Sequence, residues 1–154
     1  MDLGLNGKNA IITGGSDGIG LAAAISLSRE GANVAILART QEKLDNAVNE
    51  IKKDAKGKVV AFSTDVRDET SVISSINKVQ DEFGKIDILV NNAGTSSASP
   101  LEEMTNDQLT EDLNLKVYGA IYCARAVIED MKSSGSAVSY THLRAHETRE
   151  DRVW

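Results

Sequence analysis

The sequence predicts an α/β fold: a doubly wound parallel sheet, truncated at about its fifth strand. Three observations predict it. Short runs rich in Val, Ile and Ala alternate with longer amphipathic stretches, which is how buried parallel strands joined by crossover helices read in sequence. A glycine-rich turn, TGGSDGIG (residues 13–20), falls between the first such run and the first amphipathic stretch. A length of 154 residues, with 41% apolar and 26% charged side chains, is enough for one domain with a packed core.

The elements follow in order. NAIIT (Asn9–Thr13) reads as a buried strand, and residues 18–30 as a helix that Gly31 ends as a cap. NVAILA (Asn33–Ala38) is the second strand, and Thr40 can cap a polar helix after it. KVVAFS (residues 58–63) is the third strand; Asp68 can cap a helix reaching Phe83. IDILVNN (residues 86–92) is the fourth, bounded by Gly84 and Gly94. A Ser-rich loop with the only proline, Pro100, leads to a long helix over residues 106–133, and SAV (residues 136–138) opens a fifth strand. There is no internal repeat and no interdomain linker.

Composition narrows the function. A net charge of −6 argues against a nucleic-acid partner, because phosphate binding needs clustered Lys and Arg. Cys123 is the only cysteine, so no intramolecular disulfide can form, and its expected role is a small buried apolar group. No run of 18 apolar residues occurs, and MDLGLNGKN has no signal-type pattern, so no membrane partner and a cytoplasmic location are expected.

Chemistry concentrates in the glycine turn. Gly14, Gly18 and Gly20 let backbone turn tightly and approach a pyrophosphate, whose charge a helix N-terminus favours. The spacing is G-x-x-x-G-x-G rather than the common G-x-G-x-x-G, so from the residues alone a plain glycine-rich turn stays open.

Three further motifs stand in register with that turn: DV (Asp65 and Val66) after the third strand, NNAG (residues 91–94) after the fourth, and Asn114 in LNLKVYGAIYCA on the long helix. With TGGSDGIG, they make residues 5–137 resemble the short-chain dehydrogenase/reductase family. The resemblance implies a Rossmann-type NAD(P)-binding domain over residues 1–137, incomplete at its C-terminal end. It implies that Gly14, Ser16, Asp17, Gly18, Ile19 and Gly20 surround the pyrophosphate, that Asn92, Ala93 and Gly94 border the adenosine ribose, and that Asp65 and Val66 lie beside the adenine. Asn91 would tie strands through its amide, and Asn114 would support a water in the proton path as the one catalytic-site residue present. Arg39 bears on the cofactor: at the end of the second strand an acid would accept from a ribose 2′-OH, whereas an arginine can hold a 2′-phosphate. NADP is therefore expected over NAD, although Asp17 adds no positive charge to help. The family reaction is hydride transfer between the nicotinamide and a carbonyl or alcohol, with a tyrosine, a lysine four residues on and a serine completing the centre. A homo-oligomeric parent is implied as well.

The last 17 residues break the pattern, since they hold both histidines, the only tryptophan and three of the seven arginines without an apolar period. Tyr140 and Arg144 mimic a Tyr-x-x-x-Lys spacing, but Tyr140 falls inside the fifth strand and arginine presents a bulkier planar group than lysine. His142 and His146 lack a third ligand pattern, so no metal site is expected. Back-translated, VSYTHLRAHET resembles an adapter of transposon-based sequencing libraries, which makes residues 138–154 a non-native or unstructured tail. The expectation is thus an NADP-dependent oxidoreductase acting on a small carbonyl or alcohol, or on an acyl-thioester carbonyl. Its cofactor half is present and its Ser/Tyr/Lys centre is not, so the chain itself should be inactive. The rivals are a non-catalytic nucleotide-binding or regulatory protein of the same fold, and a short protein with a functional tail.

Overall fold

The computed structural model describes residues 3–94, 100–135 and 138–141, the side chains of Leu101 and of 138–141 excepted. Five parallel strands form one sheet in the order β3-β2-β1-β4-β5. They are β1 (Asn9–Thr13), β2 (Asn33–Ala38), β3 (Val59–Ser63), β4 (Ile88–Asn91) and β5 (Val138–Thr141). The helices are α1 (Gly18–Arg29), α2 (Gln41–Ile51), α3 (Glu69–Phe83), α4 (Asn106–Leu113) and α5 (Gly119–Ser134), with a 3-10 turn at Leu101–Glu103. A π-helical turn, Asn114–Tyr118, joins α4 to α5, so the long helix expected over residues 106–133 carries one wide turn in its middle. That insertion escapes a reading based on a 3.6-residue period.

Alternation along each strand divides the core into two layers. Ala10, Ile12, Val34 and Ile36 pack with Ala24 of α1 and with Leu44, Ala47 and Ile51 of α2. The intervening Ile11, Ala35 and Leu37, with Leu89 of β4, pack on the other face with Val72, Ile76 and Val79 of α3 and with Cys123 and Val127 of α5. Helices therefore cover both faces, which is why β1 and β2 read as continuous apolar runs. Each fully buried Ile or Leu contributes about 1.5–3 kcal/mol to folding. Cys123 belongs to this core, and burial pushes its thiol up to about 12.

The amino ends of the strands are tied by amides. Asn9 Nδ2 donates to the carbonyls of Phe83 and Lys85 at 2.9 and 2.8 Å, Asn33 Nδ2 donates to Asn9 Oδ1 at 2.9 Å, and Asn33 Oδ1 accepts from Lys58 N at 2.9 Å. The fourth strand is shorter than expected, because Ile86 N donates to Asp130 Oδ2 (3.1 Å) and Ile86 precedes the ladder although it is fully buried. At the other edge β5 pairs with β4 in the register Val90↔Tyr140 and Asn91↔Thr141. The strand runs four residues past the boundary expected at Ala137, and Tyr140 lies inside it; residues 142–154, with both histidines and Arg144, lie outside the described residues.

Candidate dinucleotide site

From β1 the chain winds outward to β2 and β3, then returns to place β4 on the other side of β1. This reversal leaves a crevice at the carboxyl ends of the strands, where open α/β sheets bind their ligands. The segments that line it follow β1 (Gly14, Ser16, Asp17, Gly18, Ile19), end β2 (Leu37 and Ala38, then Arg39 and Thr40), follow β3 (Thr64, Asp65, Val66) and follow β4 (Asn92, Ala93, Gly94). Lys43 of α2 and Leu115 and Lys116 of the π turn complete a cavity of about 510 Å³.

Local bonding holds the loops together. Thr13 Oγ1 accepts from the backbone N–H groups of Asn92 and Ala93, both at 3.0 Å, and Asn92 Nδ2 reaches the carbonyls of Thr13 and Gly14 at 3.2 Å. The loop after β4 is thereby stitched to the loop after β1. The amide that does this belongs to Asn92; Asn91, expected to tie strands, has a buried Oδ1 with no hydrogen-bond partner among the described residues. Gly14 has a φ of +65°, and a Cβ there would stand 2.9 Å from the Ala93 Cα. Gly20 does not line the crevice; it lies beneath it, where a Cβ would run into the Gly14 carbonyl and Asn92 Nδ2. Both positions exclude a side chain so that two loops and a helix end can meet.

Asp17 is the N-cap of α1: its Oδ1 accepts from Gly18 N at 2.8 Å. The other oxygen lies 3.5 Å from Lys43 Nζ, an exposed pair. The first turn of α1 faces the crevice with N–H groups that no preceding turn can satisfy, a partial positive charge suited to an anion. Arg39 lies on the rim beside it. Beyond the end of β3 the Asp65 carboxyl is held below its ordinary value of 3.8, chiefly by its hydrogen bond from Arg67.

Eleven of the twelve residues expected at a cofactor are thus brought together, and the twelfth, Gly20, supports them from below. Asn114 does not line the crevice; it begins the π turn, where its carbonyl accepts from Gly119 N, and its neighbours Leu115 and Lys116 reach the cavity. Lys43 and Lys116 escape sequence reasoning because each sits on a helix whose rotation about its axis the sequence leaves open. Lys116 is paired with Asp112 at 2.9 Å. No group of three or more His, Cys, Asp or Glu among the described residues could hold a metal ion, and no helix there is long and apolar enough to cross a membrane.

A doubly wound sheet with a glycine-cradled crevice at its switch point defines a nucleotide-binding α/β protein. The short chain dehydrogenase family profile matches residues 8–148, and the chain belongs to that family of oxidoreductases. It is 39% identical over 134 residues to a 3-dehydrosphinganine reductase of Danio rerio, covering 84% of this chain and 40% of that protein. Among solved structures it is similar to L-sorbose reductase of Gluconobacter frateurii, complexed with NADPH and L-sorbose, with a TM-score of 0.85 and 35% identity over 90% of this chain and 53% of that one. An NAD+-bound xylitol dehydrogenase matches with a TM-score of 0.82 and 32% identity over 88% and 52% of the two chains. The chain therefore spans about half the length of these solved relatives, and less of the reductase.

Proposed function

We propose that this chain is the cofactor-binding half of an NADP-dependent oxidoreductase that transfers a hydride between the nicotinamide and a small carbonyl or alcohol. The observation that carries the reading is the crevice rim at the end of β2, where Arg39, Thr40 and Lys43 stand together with no acid at the position that would accept from a ribose 2′-OH. The cradle fits a dinucleotide: Gly14 and Gly20 let the loops after β1 and β4 and the start of α1 close together around it, α1 points its N-terminus into it, and the volume matches a small-molecule site. In this reading Gly14, Ser16, Asp17, Gly18 and Ile19 hold the pyrophosphate, Asn92 to Gly94 border the adenosine ribose, and Asp65 and Val66 flank the adenine. Arg39 takes the 2′-phosphate, and Lys43 joins it by leaving its weak pair with Asp17. The bound dinucleotide would supply the hydride. Asn114 stands on the helix beside the crevice as the proton-path residue of the whole enzyme.

The NADPH-bound sorbose reductase and the NAD+-bound xylitol dehydrogenase span both cofactor choices, and the preference for NADP rests here on Arg39. Fluorescence titration of the chain with NADPH and NADH is the test. NADPH should bind at least about tenfold more tightly, and Arg39→Ala should erase the difference. Equal or tighter NADH binding by the unaltered chain would defeat the NADP assignment. A non-catalytic nucleotide-binding protein would bind in the same way, so the rival is settled by NADPH oxidation in the whole protein with a panel of ketones.

A further inference from the structure

Asp65 is gripped by one arginine, Arg67, and shares the crevice lining with another, Arg39. Ala38 faces Ser63 in the β2–β3 register, and Thr64 N donates to the Ala38 carbonyl at 2.9 Å, so Arg39 and Asp65 leave the sheet at the same rim and both line the crevice. Arg67 grips the carboxylate with two prongs: Nη2 donates to Oδ2 at 2.7 Å and Nε to Oδ1 at 3.0 Å, while its backbone N–H donates to Oδ1 at 3.0 Å. Nη1 of the same guanidinium donates to Glu111 Oε2 on α4 at 2.8 Å. Arg39 makes no ion pair among the described residues.

We propose that Arg67 is a positioning residue for cofactor choice: by gripping Asp65 from an anchor on Glu111, it keeps Arg39 free for a 2′-phosphate. The proposal rests on the reading of the crevice as an NADP site. Each edge of a guanidinium pairs in its plane with one carboxylate or phosphate, so an acid drawn onto the edge that Arg39 offers the crevice competes with a phosphate for it. Arg39 already acts on Asp65 through space, adding to the stronger effect of the Arg67 hydrogen bond. Without Arg67, Arg39 is the cation that still acts on Asp65 from the same crevice. NADPH would then have to displace an internal carboxylate, whereas NADH, which does not call on Arg39, would not. Glu111 matters because a fork tied at both ends loses less freedom on gripping Asp65 than a swinging one.

The experiment compares dissociation constants for NADPH and NADH on the whole chain and its variants. Arg67→Met should lower the preference for NADPH by about tenfold, Arg67→Lys by less, and Glu111→Gln by about two- to threefold. The double variant Asp65→Asn/Arg67→Met should recover the original preference, because the amide has no charge with which to compete for Arg39. A purely structural Arg67 would weaken both dinucleotides alike and would not be rescued by removing the acid. Glu111→Gln and Arg67→Lys keep the proposal open to test if Arg67→Met does not fold. A preference unchanged in all the Arg67 and Glu111 variants overturns the proposal and leaves the NADP site standing. If the unaltered chain binds neither dinucleotide, or does not prefer NADPH, the site reading falls and the proposal with it.

Discussion

Ile36 on β2 and Ile121 on α5 are the same residue in opposite surroundings. Ile36 is fully buried between the sheet and the α1 and α2 layer, whereas Ile121 is 39% exposed. The contrast extends to the regions around them. β1 and β2 bury every apolar side chain between Ala10 and Leu37 that faces a helix layer, while the helix from α4 through α5 leaves Leu109, Leu113, Val117, Tyr118 and Ile128 exposed beside Ile121. Four of these recur every fourth residue, a stripe along one side of the helix. The crevice draws almost entirely on the first region, and of the long helix only Leu115 and Lys116 reach it. The geometry of the crevice is thus built into strands and loops that are already closed, independent of the outer face of the helix.

Truncating each isoleucine measures that difference directly. Ile36→Ala should cost about 2–5 kcal/mol, since it removes buried methylenes and leaves a cavity against Gly15 and the α1 and α2 layer. Ile121→Ala should stay within about 0.5 kcal/mol, because water already reaches the side chain and alanine favours a helix. Urea unfolding of the two variants checks both values. Equal losses would mean that something covers Ile121 in solution, and the comparison would fail.

A smaller contrast of the same kind separates two helix starts. Asp68 Oδ1 accepts from Thr70 N at 2.9 Å, a true N-cap of α3, whereas Thr40 holds the cap position of α2 without a side-chain bond. Asp68→Ala should therefore cost about 1 kcal/mol and Thr40→Ala only a few tenths, again read from urea midpoints. Thr40 instead lines the crevice rim, so Thr40→Ala should weaken NADPH binding more than it weakens the fold.

These pairs also show what the sequence could convey. Asn9–Thr13 and Asn33–Ala38 were readable to the residue, because a strand covered on both faces must be apolar throughout. Thr40 and Asp68 were equally readable as cap positions, but whether an oxygen closes on an amide depends on a rotamer that residue type does not determine. The loop residues of the crevice were legible because glycine spacing and strand ends place them by topology alone. Lys43 and Lys116 were not, since their reach depends on helix rotation, and for Lys116 on the extra residue of a π turn. Nor was the second role of Asn92, which lines the crevice and also ties its loop to Thr13 and Gly14: successive residues at a strand end point to opposite faces, and one residue of register decides which amide meets those carbonyls.

The gentlest probe of the closed region is pH. Arg67 holds the Asp65 carboxyl below its ordinary value of 3.8, so the folded state favours the ionised form more than the unfolded chain does. A depressed folded value stabilises the protein fully above the unfolded value, and that stabilisation is lost as pH falls through the folded one. Stability relative to Asp65→Asn should therefore be constant from neutral pH down to about 5 and shrink below about 4, where the two proteins converge. Asp65 and Arg67 are each about one-third exposed, so solvent screens the pair and the difference should be small and fall further in high salt. Urea midpoints for both proteins at several pH values between 3 and 7 measure it. A gap between them that stayed the same down to pH 3 would show that Asp65 is held by shape rather than by the charge of Arg67, and the rim would then owe its order to packing alone.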